Sequence, residues 1–360
     1  MEGNPIMTVE GDRIAIWALT AEGVALGRRL RGYFGDSRLF CRRGSDPSTQ
    51  GDRAFDRLKD VLPEHFNAFG GHIFIMAAGI VVRSVAGLLR HKTLDPAVVV
   101  VDELGRHAVS LVSGHLGGAN DLARRIGEAI GAVPVITTAT DLHGLPAIDV
   151  IARQRGLTIE NPDAIRHVNM ALLEGRPIAL HDPHGWLPGV LPERSPTAAV
   201  EASSPAEGTG DGVWVDDIRI DLPAQILVLR PPSLFVGVGC NRGTPAAEIR
   251  EMLERVLDTA GLAAASVAGL ATIDVKRDEA GLLALAEALA RPLQFYSRAS
   301  LGTVAEVPSP SAMVEKHVGV KSVCEAAALL ASGNGRLIVP KQISPNVTIA
   351  VARSASPSSG

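Results

Sequence analysis

The sequence predicts a multidomain α/β fold, with two parallel or mixed-sheet α/β domains joined by a smaller middle region. Three observations lead there. The chain has 360 residues, and one domain ordinarily holds roughly 100–200. Short β-type apolar runs alternate with helix-type runs along most of its length, as βα units do. One of those runs, Val98–Val101, is β-branched throughout, which suits a parallel strand covered on both faces.

The first domain is expected over residues 1–145. Ile14–Leu19 is a short apolar strand and Glu22–Arg31 is helical in composition. Ile73–Met76 is the next strand. Gly79–Leu89 follows as a helix, with Val82, Val85, Ala86 and Leu89 at helical spacing. Val98–Val101 and His107–Val112 are strands on either side of the polar turn Asp102–Arg106. A glycine-rich turn leads into a helix over Asp121–Ile130, with Leu122, Ile126 and Ile130 on one face. Val133–Ile136 closes the series as a strand.

The middle region, 146–230, holds helices at Ala147–Arg155 and Pro162–Leu173 and a strand at Pro177–Leu180. Residues 195–212 are rich in Ser, Ala, Gly, Pro and Thr, which predicts a flexible surface loop. The last domain, 231–355, begins after the break Arg230-Pro231-Pro232. Leu234–Val238 is a strand that runs into Gly239–Gly243. A helix follows with Thr244 as N-cap and Pro245 as first residue. Ile249, Met252, Leu253, Val256 and Leu257 form its apolar stripe. Further helices are expected at Glu279–Ala290 and Val323–Ala331. Further strands are expected at Ser266–Ala268, Leu293–Tyr296, Arg336–Val339 and Thr348–Val351.

Composition narrows the function. Hydrophobic residues make up 46% and charged residues 21%, as in ordinary soluble globular proteins. The net charge is −4 with both signs mixed, which leaves no basic footprint for nucleic acid and no polybasic membrane patch. Cys41, Cys240 and Cys324 lie far apart without CxxC spacing, against a disulfide framework or structural zinc. No run of about 18 apolar residues appears. The N-terminus lacks the basic-then-apolar layout of a signal peptide. A cytoplasmic protein is expected.

The chemistry concentrates in residues 107–120. Glycines there allow a ligand to approach the main chain, and the start of the next helix offers N–H groups that favour carboxylates. His115 in this turn is a candidate general acid or base, because an unperturbed imidazole titrates near neutrality. A tight turn serving only the backbone is the alternative. Thr137, Thr138 and Asp141 follow a strand, where open α/β sheets bind ligands; Asp141 could instead cap the next turn. Ser113 and His115 are two residues apart and need not face each other. No H-E-x-x-H and no G-x-S-x-G occurs. Gly237, Gly239 and Gly243 follow a strand, but their spacing is one residue too long for the dinucleotide fingerprint. Asn241 and Arg242 are donors for a phosphate or carboxylate there, unless Arg242 is a solvated surface charge.

Four stretches, in this order, resemble the CbiG family of cobalamin biosynthesis. They are Ala77–Arg83 with Lys92 and Asp95–Val98; Ser113–Asn120 with Thr137–Asp141; Gly237–Gly243 with Leu270–Lys276 and Glu279–Leu282; and Gly319–Ala328 with Val347–Arg353. The resemblance covers about residues 60–355, and the C-terminal part is also similar to the small CobE protein.

The resemblance implies cobalt-precorrin-5A hydrolase activity, a hydrolase acting on carbon–carbon bonds. The substrate it implies is a ring-contracted cobalt corrinoid with a δ-lactone. Water opens the lactone, and a two-carbon fragment leaves as acetaldehyde to give cobalt-precorrin-5B. The cobalt comes with the substrate, so neither a cofactor nor a metal site of the protein's own is expected. Local chemistry then gives His115 the acid/base role. The N–H groups of Gly117 and Gly118, or Asn120, become oxyanion or carboxylate donors, and Asp141 orients His115 or the water. Ser113, Gly114, Thr137 and Thr138 complete that substrate site.

In the last domain Gly239, Asn241, Arg242, Gly243, Lys276, Ser322 and Glu325 match the family pattern and are expected to line a substrate cleft. The plain alternative makes Lys276 an exposed charge and Glu325 a helix-surface charge. The expected partners are the corrinoid, transiently neighbouring pathway enzymes, and a second copy of the chain, with neither nucleic acid nor membrane. A non-catalytic corrinoid carrier is the competing function.

Overall fold

Alternation along five residues sets the first sheet. Ile14, Ile16 and Ala18 turn to one face and Ala15 and Trp17 to the other, and all five are buried. A strand covered on both faces belongs in the middle of a sheet. In the computed structural model, residues 13–45, 53–91, 94–145, 147–187, 189, 210–304 and 322–355 are described. Lys92, residues 195–209 of the expected loop, and residues 319–321 of the fourth family stretch lie outside the described residues. The chain divides into two compact units, 1–151 and 152–360.

The first unit runs β1 (Ile14–Ala18), α1 (Ala21–Tyr33), β2 (Ser37–Arg42), β3 (Arg53–Phe55), α2 (Leu58–His65), β4 (Gly71–Ile75) and α3 (Ala78–Val85). It continues through β5 (Ala97–Val101), β6 (His107–Val112), α4 (Ala119–Ile130), β7 (Val133–Val135) and α5 (Ala139–Leu142), and α6 (Ile148–Gln154) ends across the division. The sheet order is β3-β2-β1-β4-β5-β6-β7. Val24, Leu26 and Leu30 of α1 and Leu122, Ala123 and Ile126 of α4 cover one face. Leu58 and Leu62 of α2 and Val81 and Val85 of α3 cover the other.

The sheet is mixed. β3 to β5 are parallel, but β6 runs antiparallel to β5, and β7 is parallel to β6. The cause is the five-residue Asp102–Arg106 turn, which is too short for a parallel crossover. The Asp102 carboxylate accepts N–H groups of Leu104 (3.0 Å), Arg106 (3.1 Å) and His107 (2.7 Å), which closes a hairpin. As a result β6 and β7 deliver their carboxyl ends to the edge where β5 begins.

The second unit carries two sheets. One contains β8 (Thr158–Ile159), β9 (Ala179–His181), β10 (Gly212–Val215) and β11 (Ile226–Arg230), in the order β8-β11-β10-β9, with α7 (Ile165–Glu174) between β8 and β9. The other contains β12 (Leu234–Cys240), β13 (Val267–Ile273), β14 (Leu293–Tyr296), β15 (Arg336–Ile343) and β16 (Val347–Arg353), in the order β14-β13-β12-β16-β15. Its helices are α8 (Ala246–Thr259), α9 (Ala280–Leu289), α10 (Arg298–Gly302) and α11 (Val323–Ala331). Asp217, fully buried after β10, accepts from Arg353 of β16 (2.7 Å) and from Ser233 (2.6 Å), joining the two sheets.

Several expected details shift. Gly212 begins β10 rather than ending a loop. The expected strand Ser266–Ala268 begins at Val267 and runs on to Ile273, because Ala264–Ser266 is a 3-10 turn. Pro245, with extended backbone, is the N-cap of α8, and the Thr244 hydroxyl bonds instead to the Asn241 carbonyl (2.8 Å). Gly237 has a packing role: a Cβ there would lie 1.8 Å from the Cys324 carbonyl oxygen, so only glycine lets α11 lie on β12.

His72 of β4 is sealed in the aromatic core of the first unit. The Trp17 indole donates to Nδ1 (3.0 Å), and the ring bonds the Phe66 carbonyl through Nε2 (2.9 Å). Burial, the dominant cause, pushes the ring from 6.5 down to about 4. Between those values the unfolded chain binds the proton and the folded chain does not. Stability is therefore complete above pH 6.5 and lost as pH falls toward 4, by roughly 3 kcal/mol. We expect the His72 ring resonance to titrate with a midpoint near 4. A midpoint near 6.5 would contradict the account.

Candidate active site

The turn after β6 folds back on the helix that follows it. Ser113 takes left-handed backbone (φ 59), and Gly118 (φ 84) caps α4. The carbonyls of Ser113, Gly114 and His115 accept the N–H groups of Ala119 (3.0 Å), Asn120 (3.0 Å) and Gly118 (2.9 Å). The donors expected to meet an anion at the start of this helix are therefore largely occupied, Gly118 among them. Gly117 packs its Cα on Ser113, since a Cβ there would fall 2.3 Å from the Ser113 Cβ. At Gly114 a Cβ would approach the Asn120 carboxamide oxygen to 2.9 Å.

The turn holds His115 against Asp141. His115 Nε2 lies 3.1 Å from Asp141 Oδ2 and 3.0 Å from Thr140 Oγ1. The same carboxylate oxygen accepts from Thr138 Oγ1 (2.6 Å) and Asn120 Nδ2 (2.9 Å), while Arg124 donates to Oδ1. Burial alone would raise the Asp141 carboxyl, but the hydrogen bonds from Thr138, Arg124 and His115 outweigh it and hold the group below its ordinary value of 3.8. An ionised carboxylate only accepts, so in the neutral ring Nε2 carries the proton and Nδ1 keeps its lone pair. Nδ1 lies 3.8 Å from Asp149 Oδ2.

Asn120 is not free to bind an oxyanion. Its amide nitrogen donates to Thr138 Oγ1 and to Asp141, both at 2.9 Å, and its oxygen accepts from Ser110 Oγ at 2.7 Å. The residue is buried, and it positions Asp141. Thr137 is exposed at the rim. Ser113 Oγ is buried without a hydrogen-bond partner and makes no bond to His115. Ser110, Arg124, Thr140 and Asp149 were not anticipated. Arg124 had a signal, because it lies four residues after Asn120 on the same helix face. Nothing in the sequence marked Asp149, 34 residues from His115, as its neighbour.

The remaining candidates lie in the second unit. Glu279 gathers the loop after β12: its carboxylate accepts from the Gly243 N–H (2.8 Å) and from Lys276 Nζ (3.1 Å). Those bonds hold it below the usual carboxylate range despite its burial. Lys276 is thus a paired, mostly covered group rather than an exposed charge. Arg242 pairs with Asp278 on the surface (2.9 Å), and Asn241 bonds Asn346 (3.0 Å). At Gly239 a Cβ would come within 2.5 Å of Thr348 Oγ1, so this glycine also serves packing.

Ser322 and Glu325 turn inward. Glu325 is fully buried, and its carboxylate accepts the Lys341 N–H at 3.0 Å, so it is not a helix-surface charge. Among the described residues no group of three or more His, Cys, Asp or Glu is placed to hold a metal ion, and no helix is long and apolar enough to cross a membrane.

The three sheets define a multidomain α/β protein, with the His115–Asp141 pair as a candidate acid–base site in its first unit. Three family models match in sequence: the cobalamin synthesis G N-terminal region over residues 60–141, the cobalamin biosynthesis central region over 146–231, and the cobalamin synthesis G C-terminus over 234–352. The chain belongs to the CbiG family. The cobalt-precorrin-5A hydrolase of Priestia megaterium is 34% identical, covering 96% of both chains. That of Salmonella typhimurium is 33% identical over 95% of this chain and 98% of its own. Protein CobE from Sinorhizobium sp is 38% identical over 33% of this chain and 79% of CobE.

Replacing Asp141 by Ala strips the acceptor from His115, Asn120, Thr138 and Arg124 together. We expect a loss of about 1–3 kcal/mol at pH 7, read by urea unfolding. The sign in acid is fixed: the depressed folded value gives stability above pH 3.8 that disappears as pH falls below it. The two proteins should therefore converge at low pH. A gap unchanged from pH 7 to pH 3 would contradict an ionised Asp141.

Proposed function

We propose that this chain is a cobalt-precorrin-5A hydrolase with His115 as its general base. The near-full-length match to two hydrolases of that name supports the activity. For the site, the observation that carries the reading is His115, with Nε2 tied to Asp141 and Nδ1 left as a base.

The chemistry follows from a lactone and a water. His115 Nδ1 takes one water proton as the oxygen bonds to the lactone carbonyl carbon. The carbonyl electron pair moves to its oxygen, where the Ser113 hydroxyl is the buried donor without a partner. Collapse breaks the acyl C–O bond, and His115 returns the proton to the departing alkoxide. The products are a carboxylic acid and an alcohol. The alcohol then gives its proton to His115 Nδ1, a C=O bond forms at its carbon, and the neighbouring C–C bond breaks with its electron pair entering the macrocycle. The fragment leaves as acetaldehyde.

In this reading the cobalt belongs to the substrate and the protein needs no cofactor of its own. Asp141 fixes the imidazole, and Asn120, Thr138 and Arg124 fix Asp141. A cytoplasmic location, the absence of nucleic-acid and membrane partners, and contacts with a second copy or with neighbouring pathway enzymes belong to the same proposal.

Anaerobic incubation of the purified protein with cobalt-precorrin-5A tests the activity. The expected result is one acetaldehyde per substrate consumed. Tight binding without acetaldehyde would instead make the chain a corrinoid carrier. His115→Ala should lower kcat by about 10²–10⁴-fold with KM little changed. Full turnover in that variant would remove His115 from the reaction.

A further inference from the structure

We infer that Asp149 is a second catalytic carboxylate, which grips the attacking water together with His115. The inference rests on the hydrolase reading above and names the group that completes its site.

Asp149 sits in the first turn of α6, with its side chain only 4% exposed. Its Oδ1 is buried and has no hydrogen-bond partner. A buried carboxylate oxygen without a donor carries a desolvation cost that a native fold ordinarily relieves. The other oxygen, Oδ2, faces His115 Nδ1 at 3.8 Å. That is too long for a direct hydrogen bond.

The nature of the two atoms says what fits between them. His115 Nε2 is engaged with Asp141 and Thr140, which leaves Nδ1 as a lone-pair acceptor. An Asp149 carboxylate is an acceptor as well. Two acceptors cannot satisfy each other. A molecule with two hydrogens to give satisfies both, and two bonds of about 2.8 Å can span the gap. Water has two such hydrogens. Held by both of them, it keeps its oxygen lone pairs free for the lactone carbon.

Ser113 adds an independent observation. Its hydroxyl is a second buried polar group without a partner, two residues from His115, on backbone with φ 59. A residue other than glycine in that region stores strain of the kind found where a side chain must be aimed. A buried hydroxyl without a partner two residues from His115, and a buried carboxylate facing its ring, match the needs of a hydrolytic site, the hydroxyl for the oxyanion and the carboxylate for the water.

The step balances. One water proton passes to Nδ1, and the oxygen–carbon bond forms as the carbonyl π bond opens. The second hydrogen stays on the oxygen while bonded to Asp149, ends in the product carboxyl group, and is released to solvent when that group ionises. Asp149 itself gains and loses nothing.

A double-mutant cycle tests this. Asp149→Asn, His115→Ala and the double variant are compared for acetaldehyde release, KM and thermal midpoint. Asp149→Asn should lose about 100-fold in kcat, with KM and the thermal midpoint close to wild type. The double variant should be no slower than His115→Ala alone, because both residues act on one water. Wild-type turnover in Asp149→Asn would overturn the inference. So would losses that multiply in the double variant, or a loss matched by a lower thermal midpoint. In each of those cases the wild type still releases acetaldehyde and the hydrolase reading stands. A wild type that releases none would remove both.

Discussion

The carboxylate of Asp141 receives hydrogen bonds from His115, Asn120, Thr138 and Arg124, side chains drawn from a turn, from α4 and from the segment after β7. A half-buried carboxylate would ordinarily resist ionisation. Here the donors outweigh burial, so the charge persists and keeps all four groups in place. The imidazole is the group it orients. Its ring orientation, its tautomer and the direction of its free nitrogen all follow from that single anchor.

The anchor works only because the sheet reverses. The Asp102 hairpin turns β6 antiparallel to β5, and β7 follows β6. The His115 turn and the Thr137–Asp141 segment consequently emerge side by side at carboxyl strand ends, where an open α/β sheet offers a site. That edge is the amino edge of β1, β4 and β5. A fully parallel sheet of the same strands would put the two segments at the opposite end of the sheet.

Much of this was legible in the residues. The apolar runs located β1, β4, β5, β6, β12 and β14. The glycine-rich turn, His115 and Asp141 were visible as chemistry without a partner list. Other parts were hidden for physical reasons. Pro63 inside α2 argues against a helix that nevertheless forms. β3 has three residues, and β10 emerges directly from a polar, low-complexity stretch. Gly237 and Gly239 suggested ligand approach, yet each meets a neighbouring element of its own unit. For Glu325 the sequence left a cleft residue and a helix-surface charge both open, because only the packed structure shows the Lys341 amide it satisfies. Asp149 was invisible because its meaning is a distance to His115, and spacing along the chain does not encode that distance.

Water attack on the lactone carbonyl carbon at the His115 site is the central step of the proposed reaction. The most direct measurement is a single turnover of cobalt-precorrin-5A in ¹⁸O-labelled water, with mass analysis of the corrinoid product. One ¹⁸O atom is expected in the newly released carboxylate for each acetaldehyde formed. An unlabelled carboxylate with full acetaldehyde release would show that the acyl carbon is not attacked and would contradict the mechanism.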